Sequence, residues 1–122
     1  MNNHQTPSDL YFKMAVAMCR IIMPDANIQI PPNLSPYSYQ EFLTAGVNDW
    51  GGISPITSDY VNPEFNWPKI NTVKENCKKL NFELKARFPV YPEFIPLVNN
   101  DLKQKLSLIA DTDNYVKEDY WK

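Results

Sequence analysis

Val47-Asn48-Asp49-Trp50-Gly51-Gly52-Ile53-Ser54-Pro55 reads as a short strand running into a tight turn, since a β-branched and an aromatic residue give way to two adjacent glycines and then a proline. Just before it, Gly46 is a natural stop for a helix of about seven residues, opened by the capping box Ser38-Tyr39-Gln40-Glu41. Earlier still, Asn27-Ile28-Gln29-Ile30 is a second strand candidate, closed by Pro31-Pro32, which cannot donate to a ladder. Strand, helix and strand joined by short connections is the pattern of a parallel βαβ unit.

The flanking segments extend this α/β reading. Thr6-Pro7-Ser8-Asp9 marks a helix start, with Thr6 as the cap, Pro7 in the first helical position and Asp9 as its reciprocal partner. Residues 10–23 are apolar on nearly every side except at Lys13 and Arg20, which share one face. A helix with so narrow a polar stripe expects burial against other elements, and Pro24 stops it. Residues 54–66 carry Ser54, Pro55, Thr57, Ser58, Asp59, Asn62 and Pro63 and read as an ordered loop. Pro68 opens a third helix, with Ile70, Val73, Cys77 and Leu80 on one face and Lys69, Lys74, Lys78 and Lys79 around the rest. Asn81 suits the left-handed end position that glycine usually takes. Phe82, Leu84, Ala86 and Phe88 alternate with charged residues in an extended segment that Pro89-Val90-Tyr91-Pro92 ends. A last helix is expected over 101–109, with Leu102, Leu106 and Ile109 on one side, followed by a frayed tail. Two or three strands cannot close a sheet, and a parallel sheet needs both faces covered. The chain is therefore expected to be incomplete by itself.

Composition narrows the function classes. With 122 residues, 43% of them apolar, the chain holds one small domain with a sizeable core. A net charge of −2 gives no basic footprint for nucleic acid. Cys19 and Cys77 lie far apart, each on the apolar side of an expected helix, and read as small buried hydrophobes rather than a disulfide pair. The start of the chain lacks a basic segment followed by an apolar core, and the apolar run 14–23 contains Arg20 and is too short to span a bilayer. The expectation is a soluble cytoplasmic protein with no membrane partner. Eleven prolines against three glycines, crowded into 31–37, 55–68 and 89–96, suggest stiff loops of defined shape.

Two stretches concentrate chemistry. Asn33 falls just past the carboxyl end of the first strand candidate, where α/β barrels place their sites, and its amide offers both donor and acceptor; from spacing alone, a proline-rich turn with Asn as its hydrogen-bonding residue is the plainer reading. Asn48-Asp49-Trp50-Gly51-Gly52-Ile53-Ser54 gathers an amide, a carboxylate, a stacking face and two glycines that let a ligand come close. A tight turn beside a half-buried Trp reads equally well from the residues. Asp111-Thr112-Asp113 starts like a calcium loop, but Val116 stands where glycine and Lys122 where glutamate are needed. The lone His4 lies in a terminal tail, so no Ser–His or Cys–His pair is expected, and no metal-ligand cluster, phosphate loop or dinucleotide fingerprint occurs. Whether Asp49, Asp59 and Glu64 pair in space is not set by spacing, and surface solvation is the plainer role for Glu64.

Taken together, these motifs resemble one family. Ile28-Gln29-Ile30-Pro31-Pro32-Asn33-Leu34, Ala45 through Thr57, Asp59-Tyr60-Val61-Asn62-Pro63-Glu64, Trp67-Pro68 and Arg87-Phe88-Pro89-Val90-Tyr91-Pro92-Glu93 are similar, in order and spacing, to motifs of the 7,8-didemethyl-8-hydroxy-5-deazariboflavin (FO) synthases. The resemblance runs over roughly residues 8–96, and Phe88 and Asn81 depart from the pattern only mildly. It implies the C-terminal third of a radical S-adenosylmethionine (β/α) TIM-type barrel, with residues 1–96 as barrel and closing extension and 97–122 as a C-terminal helix and tail. The reaction implied is the ammonia-releasing radical cyclisation of an adduct between a tyrosine-derived hydroxybenzyl group and 5-amino-6-ribitylaminouracil. Its product is the deazaflavin precursor used for coenzyme F420 and for some photolyases. The resemblance also implies S-adenosylmethionine and a [4Fe-4S] cluster, a missing N-terminal barrel segment, and a companion radical enzyme that makes the adduct. Cluster binding in that family uses a C-x3-C-x2-C loop, which Cys19 and Cys77 do not match. No catalytic or metal residue is assigned. Gln29, Asn33, Asn48, Asp49, Trp50, Gly51, Gly52 and Ser54 are the residues expected to face substrate or S-adenosylmethionine. A non-catalytic remnant that binds a ligand or docks on a partner is the alternative.

Overall fold

The computed structural model describes residues 7–121, and the chain divides after Phe82 into two compact units. Thr6 and His4 lie outside the described residues, so neither expectation made for them can be followed. Residues 85–86 bond forward in the chain, within the second unit: Val116 N donates to Ala86 O at 2.8 Å, and Lys85 Nζ donates to Asp113 at 3.0 Å.

In the first unit, α1 (Asp9–Ile22) is capped by Ser8, whose hydroxyl oxygen accepts from Tyr11 N at 3.3 Å. A seven-residue helical stretch follows the connection, as a 3₁₀ turn (Tyr39–Glu41) that passes into α2 (Phe42–Ala45). The expected capping box does not form: the Ser38 hydroxyl donates to Asp9, and Glu41 pairs with Lys13, so both groups fasten this stretch to α1. Gly46 ends α2 at φ +113°, in the left-handed region. Phe42, fully buried, meets Phe12 of α1 with ring centroids 5.0 Å apart. Next, α3 (Ile70–Lys79) turns Val73 and Cys77 into the core and ends with Asn81 at φ +63°, as its sequence indicated.

The core of this unit is Val16, Ile30, Tyr39, Phe42, Leu43, Val47, Trp50, Val73 and Cys77. Most of α1 is not covered by it. Leu10, Tyr11, Met14, Met18, Ile21 and Ile22 are all more than half exposed, and Cys19 is exposed as well. The burial expected for this helix and for Cys19 is therefore absent within the described residues; only Val16 is buried there.

The two strand candidates are present in direction but not in length. Gln29 and Asp49 form a single parallel bridge, Ile30 N donates to Asp49 O at 3.1 Å and Asn48 N to Ile28 O at 3.2 Å. No longer ladder occurs among the described residues, so strands of a barrel are not seen. Pro31 and Pro32 end the pairing by removing two donors, and a parallel strand with one neighbour has nothing to propagate it.

In the second unit, a 3₁₀ stretch (Pro92–Leu97) precedes α4 (Asn100–Ile109), which Asn99 caps by accepting from Leu102 N at 2.9 Å. Over the described residues the tail is not frayed. The Asp111 carboxylate accepts from Asp113 N and Tyr115 N, both at 2.9 Å, and an antiparallel bridge joins Ala110 to Val116. No helix among the described residues is long and apolar enough to cross a membrane.

Candidate functional site

The parallel bridge sets the geometry of the site. Because the two short segments run the same way, the turn after Ile30 and the turn after Asp49 leave from the same end, so Gln29–Asn33 and Asp49–Ser54 become neighbouring loops.

Asn48 is used internally. Its Oδ1 accepts from Ile28 N at 2.8 Å and from Arg20 Nη2 at 3.3 Å, while its Nδ2 donates to Asn27 Oδ1 at 2.8 Å. Arg20 joins the same knot. Its guanidinium donates to Gly46 O at 3.0 and 2.8 Å, to Pro24 O at 2.6 Å and to Ala26 O at 2.8 Å. One fork thus collects carbonyls at the ends of both helices, the planar multi-donor geometry that arginine alone provides. The sequence placed Arg20 on a polar stripe and missed this role; the available signal was a single arginine inside an apolar run.

Trp50 is a core residue, 6% exposed, where a stacking face was expected. Its ring meets Tyr39 edge-on, centroids 5.3 Å apart at 87°, and its Nε1 donates to Cys77 Sγ at 3.5 Å. The Tyr39 hydroxyl accepts from Asn76 Nδ2 at 2.8 Å. Burial pushes the Tyr39 phenol and the Cys77 thiol above their ordinary values, which keeps both neutral. Trp50 therefore anchors the loop from below.

The remaining residues of the second loop lie nearer the surface. Asp49, half-buried, accepts from Gly51 N at 2.7 Å through Oδ1. That bond holds Gly51 at φ +71°, where the exposed Gln29 side chain lies so close that a Cβ on Gly51 would stand 2.2 Å from Gln29 Nε2. Gly52 faces open space, with nothing within 4 Å of a Cβ there. The Ser54 hydroxyl accepts from Thr57 N at 3.0 Å and shares a 2.7 Å bond with the Thr57 hydroxyl, closing the Pro55 turn on itself.

Asn33 is completely buried in the 3₁₀ turn Pro32–Leu34. Its Nδ2 donates to Asp59 Oδ2 at 2.8 Å and to Phe65 O at 3.3 Å, but its Oδ1 is buried with no partner. An unmatched buried acceptor costs about 1–3 kcal/mol. Asp59 organises the loop above: Oδ1 accepts from Val61 N at 2.9 Å and Asn62 N at 3.2 Å, and Oδ2 also accepts from Asn62 Nδ2 at 3.3 Å. The Asn33 amide, with the backbone donors behind it, holds this carboxyl below the ordinary carboxylate range. Sequence reasoning named Asp59 only as an acid without an assigned partner.

The arrangement offers amide and carboxylate groups beside an open glycine, which suits ligand binding. It holds no nucleophile with an adjacent base. The chain's two thiols do not suit an iron–sulfur cluster, since Cys19 is exposed on α1 while Cys77 is buried against Trp50, and no group of three or more metal-ligating side chains occurs among the described residues.

Comparison with known proteins gives this geometry a context. The chain is 45% identical over 95 residues to the 7,8-didemethyl-8-hydroxy-5-deazariboflavin synthase of Methanopyrus kandleri, a match covering 78% of this chain and 28% of that protein. It is 46% identical over 95 residues to the synthase of the same name from Methanocaldococcus jannaschii, covering 78% and 26%. The FO synthase of Streptomyces coelicolor is 42% identical over 104 residues, covering 81% and 12%. No family model and no solved structure matches. The chain is thus similar to enzymes of the deazariboflavin synthase class. What it resembles within that class is the C-terminal part of 7,8-didemethyl-8-hydroxy-5-deazariboflavin synthase, as its motifs indicated, and it spans under a third of the length of the relatives it matches.

Proposed function

We propose that this chain is the C-terminal part of a radical S-adenosylmethionine synthase that closes the deazaflavin ring, and that it lines the substrate pocket. The observation that carries the reading is the parallel pairing of Gln29 with Asp49, which brings the turns after Ile30 and Asp49 out side by side within a segment 45% identical to a named synthase. In this reading the substrate is the adduct of a tyrosine-derived hydroxybenzyl group with 5-amino-6-ribitylaminouracil, and cyclisation releases ammonia. S-adenosylmethionine and its iron–sulfur cluster supply the radical from another part of the enzyme, because the thiols of this chain do not fit a cluster.

The bonding of the site residues supports a distinct role for each. Gln29 and Asp49 present an amide and a carboxylate at the pocket wall, and Gly52 lets a ligand approach the backbone. Gly51 and Ser54 fix the turn, Asn33 holds the Asp59 carboxylate and with it the neighbouring loop, and Trp50 and Asn48 hold the two loops together from behind. None of them is a reacting group, so their contribution is orientation.

A chimera tests this. The matched residues of this chain replace their counterparts in the Methanocaldococcus jannaschii synthase, and deazaflavin fluorescence is measured after anaerobic incubation with the companion enzyme, tyrosine and the aminouracil. The reading predicts product; a chimera with intact cluster and fold that forms none would falsify it.

A further inference from the structure

The polar side chains at the two turns differ in what they have left to offer a ligand. Asn48, Trp50 and Ser54 are bonded within the fold, and the Asn33 amide is enclosed against Asp59. The Asp49 carboxylate is engaged by Gly51 N. Gln29 stands apart: it is exposed, and its side-chain amide makes no hydrogen bond among the described residues. The place of that amide depends on Gly51. Gln29 Cγ, Cδ and Nε2 lie so close above it that a Cβ there would stand 3.4, 3.1 and 2.2 Å from them. The amide ends a flexible side chain, so a residue other than glycine at 51 would push it aside. Asp49, paired with Gln29 across the parallel bridge, holds Gly51 at φ +71°. The next residue, Gly52, faces open space. An uncommitted carboxamide thus lies where the two turns meet, over a backbone that nothing else covers.

A carboxamide holds an acceptor and a donor side by side, and its complement is a ring imide, where a C=O and an N–H also lie side by side. The hydroxybenzyl and ribityl parts of the substrate proposed above offer hydroxyls. Its uracil ring carries an imide edge, which ring closure and ammonia loss leave untouched. We propose that Gln29 is the specificity-determining residue of this pocket, pairing through its carboxamide with the imide edge of the uracil ring, and that Gly51 serves recognition by leaving the amide its place. The inference rests on the pocket reading above and adds to it the group that reads the ligand and the part of the ligand that is read.

In the chimeric synthase, Gln29→Met keeps a side chain of similar length and removes both halves of the pair. It raises the KM for the adduct about tenfold while kcat and cluster content hold, as expected when binding is lost equally from ground state and transition state. Gly51→Ala moves the amide aside and raises KM by a similar factor. Because both substitutions act on one contact, Gly51→Ala combined with Gln29→Met raises KM no further than either alone. An adduct methylated at the imide nitrogen has a KM about tenfold higher for the unsubstituted chimera, whereas Gln29→Met hardly separates it from the parent adduct. The methyl comparison needs no change at Gly51, so it holds even where Gly51→Ala fails to assemble. An unchanged KM in Gln29→Met, a loss of kcat or cluster content in its place, factors that multiply in the double variant, or a methyl penalty of the same size with and without the Gln29 amide overturns the proposal and leaves the pocket reading standing. An unsubstituted chimera that keeps its cluster and fold and forms no product overturns both.

Discussion

Gly51 and Gly52 are adjacent and identical, yet the structure gives them different tasks. Gly51 sits at φ +71° under the Gln29 side chain, whereas Gly52 meets nothing within 4 Å. Gly51→Ala should therefore destabilise the chain by about 1–2 kcal/mol, the cost of a left-handed residue with a side chain, while Gly52→Ala should stay within about 0.5 kcal/mol. Urea unfolding of the two variants checks this, and equal losses would show that the turn does not depend on Gly51. If Gly52→Ala also lowers product formation in the chimera without loss of stability, the open space is where the ligand comes close. Arg20 gives a second prediction at this scale. Arg20→Lys keeps the charge but not the fork that reaches Gly46, Pro24 and Ala26 carbonyls, so it should lose about 1.5–3 kcal/mol, close to the loss from Arg20→Ala. Asp59 gives a pH dependence. Its folded-state acidity range lies below the ordinary one, so its contribution is complete at neutral pH and is lost as pH falls below about 4. The difference in melting midpoint between wild type and Asp59→Asn should narrow over that interval; a constant difference would mean that the carboxylate charge is not what Asn33 and the loop amides bind.

Single elements were legible to different degrees, and the reasons are physical. The ends of α2 and α3 could be read because left-handed termination is a local property, satisfied by Gly46 and Asn81 through their own backbone. The start of α2 could not, because the residues of a capping box also bond over long distances: Ser38 and Glu41 found Asp9 and Lys13 of α1. Asn33 and Asp49 were legible as polar residues at strand ends, but the Asp59–Asn33 bond spans 26 positions and no local pattern announces it. Trp50 showed the opposite limit. Its type suits both a stacking face and a core, and only its contacts with Tyr39 and Cys77 decide for the core. The strands were called from two β-branched residues and their flanking turns, which fix direction but not length. A ladder also needs neighbours, and each segment has one.

At the scale of the molecule, the apolar surface of α1 is the main unsolved cost. Leu10, Met14, Met18 and Ile21 are each more than half exposed, and covering side chains of this kind gains roughly 1.5–3 kcal/mol apiece. If the chain is part of a larger synthase, the rest of that enzyme is what covers them. Met14→Glu combined with Ile21→Glu should then leave the melting midpoint of the chain nearly unchanged, since these side chains already meet water, yet abolish assembly of the chimera. A destabilised chain, or a chimera that still forms product, would place that face outside the interface.

In the proposed function, the turns after Ile30 and Asp49 form one wall of a substrate pocket. Hydrogen–deuterium exchange of the chimera, with and without the hydroxybenzyl–aminouracil adduct under anaerobic conditions, measures this directly. Slower exchange is expected in both 28–34 and 48–54 when the adduct is bound, with α4 unchanged. Turnover of the adduct without protection in either loop would contradict it.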